Sequence, residues 1–385
     1  MIDDPADHDA LEESEALELS RRKALPPDDI VRASIVQAKQ AAAPYVTMAR
    51  IALAQLGRSR LARLGGLMLS CLALVAIFAD LLASDLPVAC RWHGTLYVLP
   101  NVTRPAALAG VDSSRMAEER QPGDWMLRPL VARGPDQTSG AAEVLVPPLS
   151  VGHPLGTDAE GRDVLARVAH GARTALGLGF AASMVLVAIG VVLGALAGFA
   201  GGTVDAVVAR AVEALTAVPT LVLVLVVGAL VPHPTTSTLL WTIALTRWAE
   251  LARMVRAEVL RNLGADYVTA ARALGASASR VLRRHVLPNA IGPAIVAAAF
   301  GVASVVLVEA AVDFLRVGTT GATASWGESL GEARAHPDAW WLIAFPGAAL
   351  LVTLAALNLV GEAARDALDP KLRNASGELT EAMRS

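Results

Sequence analysis

The sequence is poor in the residues that build soluble domains and catalytic sites. Its 385 residues include two cysteines and three lysines, Lys23, Lys39 and Lys371. Two cysteines supply neither a disulfide framework nor a zinc site of the usual kind. Cys71 falls inside an apolar run and Cys90 beyond it, too far apart to bridge. Charged residues make up 18%, against about 25% in a typical soluble domain. The net charge of -3 leaves no basic excess for nucleic acid. No lysine follows the pattern Gly-x4-Gly-Lys-[Ser/Thr], so the chain has no P-loop. What is present is apolar: 54% hydrophobic residues and a mean hydropathy of +0.49. Such a chain buries much of its surface in lipid.

Residues 174–204, 214–246, 285–308 and 339–361 contain no Asp, Glu, Lys or Arg. A helix needs roughly 20 apolar residues to cross about 30 Å of hydrocarbon. Pro232, His233 and Pro234 split the second run into two spans. A further run begins at Leu64 and passes Asp80, which can reach the headgroups from a helix end. The count predicts six spans, at about 62–84, 174–198, 212–231, 236–256, 287–310 and 340–361. Pro219 and Pro346 fall within them and should bend or weaken the helix. The first apolar run starts past residue 60, so it is expected to stay as an uncleaved anchor.

Arginines set the orientation. Arg50, Arg58, Arg60 and Arg63 precede the first span and put the N-terminus in the cytoplasm. Six spans return the C-terminus to the same side. The connection from Arg247 to Arg284 holds eight arginines against Glu250, Glu258 and Asp266, and the count also makes it cytoplasmic. Between spans five and six, Glu309, Asp313, Glu328, Glu332 and Asp338 outnumber Arg316 and Arg334, as suits an outer loop.

The spans divide the chain. Residues 1–61 form a cytoplasmic tail, with eight acidic side chains in its first 18 positions and an amphipathic helix expected at 28–60. Residues 62–84 are the first span and 85–170 an extracytoplasmic insert, strand-like at Arg91–Val98. Residues 171–362 hold five spans, and 363–385 form a cytoplasmic tail. In the second span Gly190, Gly194 and Gly198 lie four apart and let another helix approach closely. That helix belongs either to this chain or to a second subunit.

The sharpest local signal is GADYVTAARALGASASRVLRRHVLP at 264–288. Ala265–Leu274 is a good helix by propensity. Gly275 supplies the φ > 0 turn that ends it, and Ser277 can cap a second short helix at Ala278–His285. Pro288 then opens the next span at a tolerated position. The result is a short helix-turn-helix held between two spans. Its small residues (Ala270, Ala271, Ala273) suit insertion into a groove on another protein. The plainer reading is a basic loop held to lipid headgroups by Arg280, Arg283 and Arg284.

The segment 153–174, HPLGTDAEGRDVLARVAHGART, precedes the second span. His153, Asp158, Asp163 and His170 match no common zinc spacing. Thr157 or Asp158 is better placed to cap a helix starting near Glu160 on the outer surface, with Arg162 and Asp163 pairing locally. Catalysis within the membrane has no candidates: Ser183 and Ser304 are lone hydroxyls, and spans two, five and six carry no mid-span His, Asp or Glu. An ion-coupled carrier or channel without an ATPase partner is the alternative class. It would lean on Asp80, Glu213, Arg247 and Glu250, all near predicted span ends.

Four segments carry a resemblance. The 264–288 segment resembles the EAA loop of binding-protein-dependent ABC importer permeases, matched by Thr269, Ala270, Ala271, Gly275, Leu287 and Pro288, with Thr269 in place of the family's Glu. The 153–174 segment (His153, Pro154, Gly156, Thr157, Asp158, Gly161, Arg162, Asp163) is similar to the motif before the second span in C-type dipeptide, oligopeptide and nickel permeases. WGESL at 326–330 and NLVGEAARDALDP at 358–370 continue the match. The insert is longer than in many such permeases and resembles that of microcin C/oligopeptide-type members.

The resemblance implies an all-α polytopic membrane protein with the type I ABC importer permease fold and a small extracytoplasmic insert between helices one and two. It implies an inner-membrane transport subunit, without enzyme activity or a cofactor of its own, for peptides or, less favoured, nickel. Its implied partners are a homologous second permease, two ATP-binding cassette subunits that bind ATP and Mg, an extracytoplasmic solute-binding protein, and lipid.

Overall fold

The computed structural model describes residues 59–138, 140, 143–316 and 324–368. The acidic tail at 1–18, nearly all of the amphipathic helix expected at 28–60, and residues 369–385 lie outside the described residues.

The first long helix, α1 (Arg60–Ile77), is capped by Ser59, whose Oγ accepts from the Ala62 amide at 3.3 Å. A short turn at Ala79–Leu82 follows. The chain then builds an antiparallel sheet in the order β2–β1–β3, with β1 at Ala89–Trp92, β2 at Thr95–Val98 and β3 at Trp125–Leu127. His93 and Gly94, both at positive φ, make the tight β1–β2 turn, the backbone choice that matches strand twist. Leu86, Cys90, Trp92, Leu108 and Met116 form the small core of this insert. The insert is tied back to the end of the first span: Ser84 N–H donates to Val131 O, Val131 N–H to Leu82 O, and Asn101 Nδ2 to Asp80 O.

The longest helix, α2 (Val164–Ala200, 37 residues), is about 55 Å long at 1.5 Å per residue. It outruns the membrane thickness, and its first turns project into the insert, ten residues before the expected span. Arg173 Nε bonds Ala76 O and His170 Nε2 bonds Ala83 O, fastening α2 to the end of α1.

After Gly201 come α3 (Gly202–Thr216) and α4 (Thr220–Leu230), bent by 80° at Ala217–Pro219. Pro219 therefore breaks the expected span at 212–231. The break at Pro232–Pro234 falls where expected, and α5 (Thr236–Leu263) opens there with a capping box between Thr235 and Thr238. Next come α6 (Asp266–Ala273), a short helical run from Ala278 through a π turn at Leu282–Val286, and α7 (Leu287–Phe314). Helices α8 (Trp326–Ala333) and α9 (Trp341–Leu368) complete the described fold. Pro293 and Pro346 sit inside α7 and α9, which remain helical.

Among the described residues four helices are long and apolar enough to cross a membrane: Arg60–Ile77, Val164–Ala200, Ala278–Phe314 and Trp341–Leu368; the bent α3–α4 pair, taken as one span, adds a fifth. The remaining expected span, 236–256, lies within α5, whose apolar stretch is interrupted by Arg247, Glu250 and Arg253.

Glycines set how closely the helices pack. A Cβ on Gly194 would lie 2.5 Å from Ala252 O of α5, and one on Gly190 or Gly198 would lie 2.9 Å from Leu251 or Val259. The glycine stripe thus receives α5 of the same chain, which runs parallel to α2. Gly179 receives Val306 of α7 and Gly65 receives Leu359 of α9 in the same way. Ile243, Ala244, Ala249, Val255 and Val259 of α5 are fully buried, Val255 and Val259 against Gly194 and Gly198.

Candidate functional site

The 264–288 segment folds as a closed elbow. Helix α6 ends in a Schellman arrangement: Ala276 N–H donates to Ala271 O at 3.0 Å and Gly275 N–H to Arg272 O at 2.9 Å. Gly275 holds φ +82°, the left-handed conformation this closure requires. Ser277 occupies the next N-cap position with extended backbone, but its side chain makes no capping bond. That is a correction to the expected cap. The second short helix also has no separate end. It runs through the π turn into α7, with Leu287 and Pro288 in the first turn. Pro288 offers no N–H, and its ring crowds the carbonyl four residues back, inside that π turn.

Three groups that the sequence did not single out stiffen the elbow. Tyr267 OH donates to Asn262 Oδ1 at 2.6 Å and accepts from Asn289 Nδ2 at 3.0 Å, so one phenol joins the end of α5 to the start of α7. Val268, Val281 and Val286 are fully buried beneath it. On the outside, Thr269, Ala270, Ala273 and Gly275 are exposed, Ala271 is half-buried, and Leu274 at the tip is 89% exposed. A signal for Leu274 is present in the sequence: a large apolar side chain directly before the turn glycine.

The 153–163 motif lies at the other end of α2. His153, Gly156, Thr157, Asp158, Gly161, Arg162 and Asp163 are all buried. Two expectations are corrected here. Helix α2 begins at Val164 and not near Glu160; its cap is Asp163, whose Oδ1 accepts from the Ala166 amide at 3.0 Å. Arg162 does not pair with Asp163. Its Nε reaches Asp158 Oδ2 at 2.6 Å, and its Nη2 reaches Glu332 of α8. Thr157 instead holds the loop, accepting from Val146 N–H and donating to Glu143 O, while its carbonyl accepts from Trp341 Nε1 at 2.9 Å. Gly156, at φ +84°, leaves room for that indole: a Cβ there would lie 3.0 Å from Nε1. Pro154 O accepts from Leu149 N–H.

Arg167 completes an ionic cluster, reaching Glu328 Oε2 at 2.7 Å. WGESL therefore meets the 153–167 motif directly. Trp326 Nε1 also donates to Val168 O at 3.0 Å, over Gly171. Breaking one partner out of such a buried set costs about 3–5 kcal/mol. Burial, reinforced by the Asp158 charge, pushes the Glu332 carboxyl up to about 7 despite Arg162 and Arg167. Burial works against the charge on Arg162, but Asp158 and Glu332 outweigh it and raise the guanidinium pKa. Burial also raises Asp163, against the bonds it accepts from Ala166 and His153.

The four residues weighed as metal ligands do not converge. His153 Nδ1 bonds Asp163 Oδ2 at 2.8 Å, Asp158 bonds Arg162, and His170 bonds a carbonyl. Among the described residues no group of three or more His, Cys, Asp or Glu could hold a metal.

Comparison with known proteins covers the elbow. Residues 190–374 match the family of binding-protein-dependent transport system inner membrane components. The di/tripeptide transport system permease protein DppC of Pseudomonas aeruginosa is 39% identical over 223 residues, 58% of this chain and 73% of that protein. The oligopeptide transport system permease protein OppC of Bacillus subtilis is 35% identical over 249 residues, 64% of this chain and 80% of that one. The dipeptide transport system permease protein DppC of Bacillus subtilis is 36% identical over 228 residues, 59% and 71% of the two. These relatives are membrane permeases and not enzymes. The chain accordingly belongs to the family of binding-protein-dependent transport system inner membrane components, in the group of the DppC and OppC permeases.

Proposed function

We propose that this multi-pass inner-membrane permease carries peptides inward and is driven through its 264–288 elbow by a separate ATPase. The observation that carries the reading is the elbow itself. Its tip offers Leu274, 89% exposed, while its base is fastened through Tyr267 to the helices on either side. An exposed leucine at the end of a rigid lever suits a groove on another protein. A basic loop resting on lipid headgroups needs neither the closed turn nor the hydrogen-bonded base. Both termini and the elbow then lie in the cytoplasm, and the insert and the Arg162 cluster face outward.

The peptide cargo follows from the relatives, which are named as dipeptide, di/tripeptide and oligopeptide permeases. A homologous second permease completes the path, two ATP-binding cassette subunits bind ATP and Mg, and a solute-binding protein delivers the cargo outside. The chain needs no cofactor of its own. ATP binding closes the ATPase pair and moves the elbow. The helices then open outward, and hydrolysis resets them. The elbow must therefore dock with different free energy in the two states. Thr269, Ala270, Ala271, Gly275, Leu287 and Pro288 form this coupling element, with a hydroxyl at 269 in place of the family's carboxylate.

The test is uptake of labelled tripeptide by proteoliposomes holding the two permeases, with and without the ATPase subunits, after loading with the binding protein. The proposal expects uptake that requires both the ATPases and ATP. Uptake that persists without ATPase and follows an ion gradient would establish an ion-coupled carrier instead.

A further inference from the structure

Midway along α5 the bundle holds charge where apolar side chains are expected. Arg247 lies 11 residues from Thr236, about 16 Å along the helix. Ser304, which accepts from Arg247 Nη1, lies ten residues from Phe314, about 15 Å along α7. Counted from those helix ends, both lie about halfway across a bilayer about 30 Å thick, so Arg247 sits deeper than the span end where the sequence reading puts it. Arg247 Nη2 reaches Glu250 Oε2 at 3.3 Å. The guanidinium is mostly buried, with a side-chain exposure of 17%, but Glu250 is 59% exposed on the outside of the chain. Between them α5 and α7 leave a groove of about 100 Å³, floored by Leu186 and walled by the small residues Ala297 and Gly301. One helical turn further, Arg253 is exposed and makes no ion pair among the described residues.

A carboxylate at that depth is strongly disfavoured against lipid tails, so this face meets water or protein. Two observations favour water. Arg247 already neutralises Glu250 within the chain, so this pair needs no partner subunit to satisfy it, and the exposed Arg253 beside it is a charge that water solvates. The charges also recur at 247, 250 and 253, three apart on one side of α5, and lead from the bilayer centre toward the elbow. A path for zwitterionic cargo needs such a ladder, because a guanidinium can take a carboxylate and a carboxylate an ammonium.

We propose that Arg247, Glu250 and Arg253 line the translocation path and hold the charged ends of the passing peptide, the C-terminal carboxylate on the arginines and the N-terminal ammonium on Glu250. This rests on the peptide-importer reading and names the part of the chain that would contact cargo within the membrane.

The experiment uses the complete importer in proteoliposomes, with tri-alanine and its N-acetyl form as cargo and uptake normalised to assembled complex. Glu250→Gln is expected to lower tri-alanine uptake about tenfold, the loss of one charge-assisted hydrogen bond, and to erase the preference over the N-acetyl peptide. In parallel, Glu250→Cys in a Cys71→Ser, Cys90→Ser background is expected to react with a sulfonated, membrane-impermeant thiol reagent. Unchanged uptake and preference in Glu250→Gln would overturn the proposal. So would a Glu250→Cys variant that stays unlabelled, together with loss of the second permease from Glu250→Gln complexes, which would make the stripe a subunit contact. A wild-type importer that moves no peptide contradicts the cargo reading, and the labelling then still decides whether the stripe faces water.

Discussion

Arg162 and Glu332, 170 positions apart in sequence, are joined by a buried ion pair that locks the entry of α2 to the short helix α8. Asp158, Glu328 and Arg167 complete the cluster. Removing Arg162 would leave Glu332 and Asp158 buried without their shared cation. Arg162→Ala is expected to destabilise the detergent-solubilised protein by about 3–5 kcal/mol. A thermal-unfolding shift no larger than that of a surface substitution such as Arg115→Ala would show that the cluster is not built as described.

The same cluster should make stability depend on pH. The Glu332 carboxyl is raised from an ordinary value near 4.5 to about 7 in the fold. The folded state therefore holds a proton that the unfolded state has lost between those values. Its contribution is complete below pH 4.5 and disappears as pH rises through 7, a loss of about 3 kcal/mol at full ionisation. Glu332→Gln should flatten the stability curve between pH 4.5 and 7. A wild-type curve that rises across that window would contradict the assignment.

How much of this is legible in the sequence depends on the range of the interaction. The elbow is readable because Gly275 and Pro288 act within one or two turns of themselves. The Gly190–Gly194–Gly198 stripe announces a close helix but cannot name it, since either chain's helix satisfies a small-residue face. The Arg162–Glu332 pairing leaves no local trace, because its partners meet only after the intervening helices have packed. Thr157 resembles a helix cap, but its hydroxyl is taken by Glu143 O and Val146 N–H, and the cap passes to Asp163. Of two proline breaks in the central region, the Pro232–Pro234 cluster is plain from local composition. A lone Pro219 predicts only a bend or a weakened helix, yet the chain turns there by 80°.

The glycine stripe gives a graded packing test. A Cβ at Gly194 meets the Ala252 carbonyl at 2.5 Å, whereas Gly177 on the same helix has nothing within 4 Å. Gly194→Val should cost about 1–3 kcal/mol or prevent assembly through overpacking. Gly177→Ala should be neutral or mildly stabilising. Thermal unfolding of the purified pair of variants decides it, and equal behaviour would contradict the α2–α5 seam.

Tyr267 tests the lever without touching its tip. Tyr267→Phe removes the hydroxyl shared by Asn262 and Asn289, about 1 kcal/mol of local stability. The ATPase subunits should still co-purify, while peptide uptake per ATP hydrolysed falls. An unchanged ratio would mean that the elbow does not need a stiff base.

The central claim is that the exposed tip of the elbow docks the ATPase. It is tested most directly by co-purifying the ATPase subunits with tagged wild-type permease, Leu274→Asp and Gly275→Val. Leu274→Asp places a charge where an apolar side chain should be buried, and should weaken capture about tenfold or more. Gly275→Val forces a β-branched residue into φ +82° and should do the same by opening the turn. Capture of the ATPase at wild-type level by both variants, each correctly inserted in the membrane, would contradict the account.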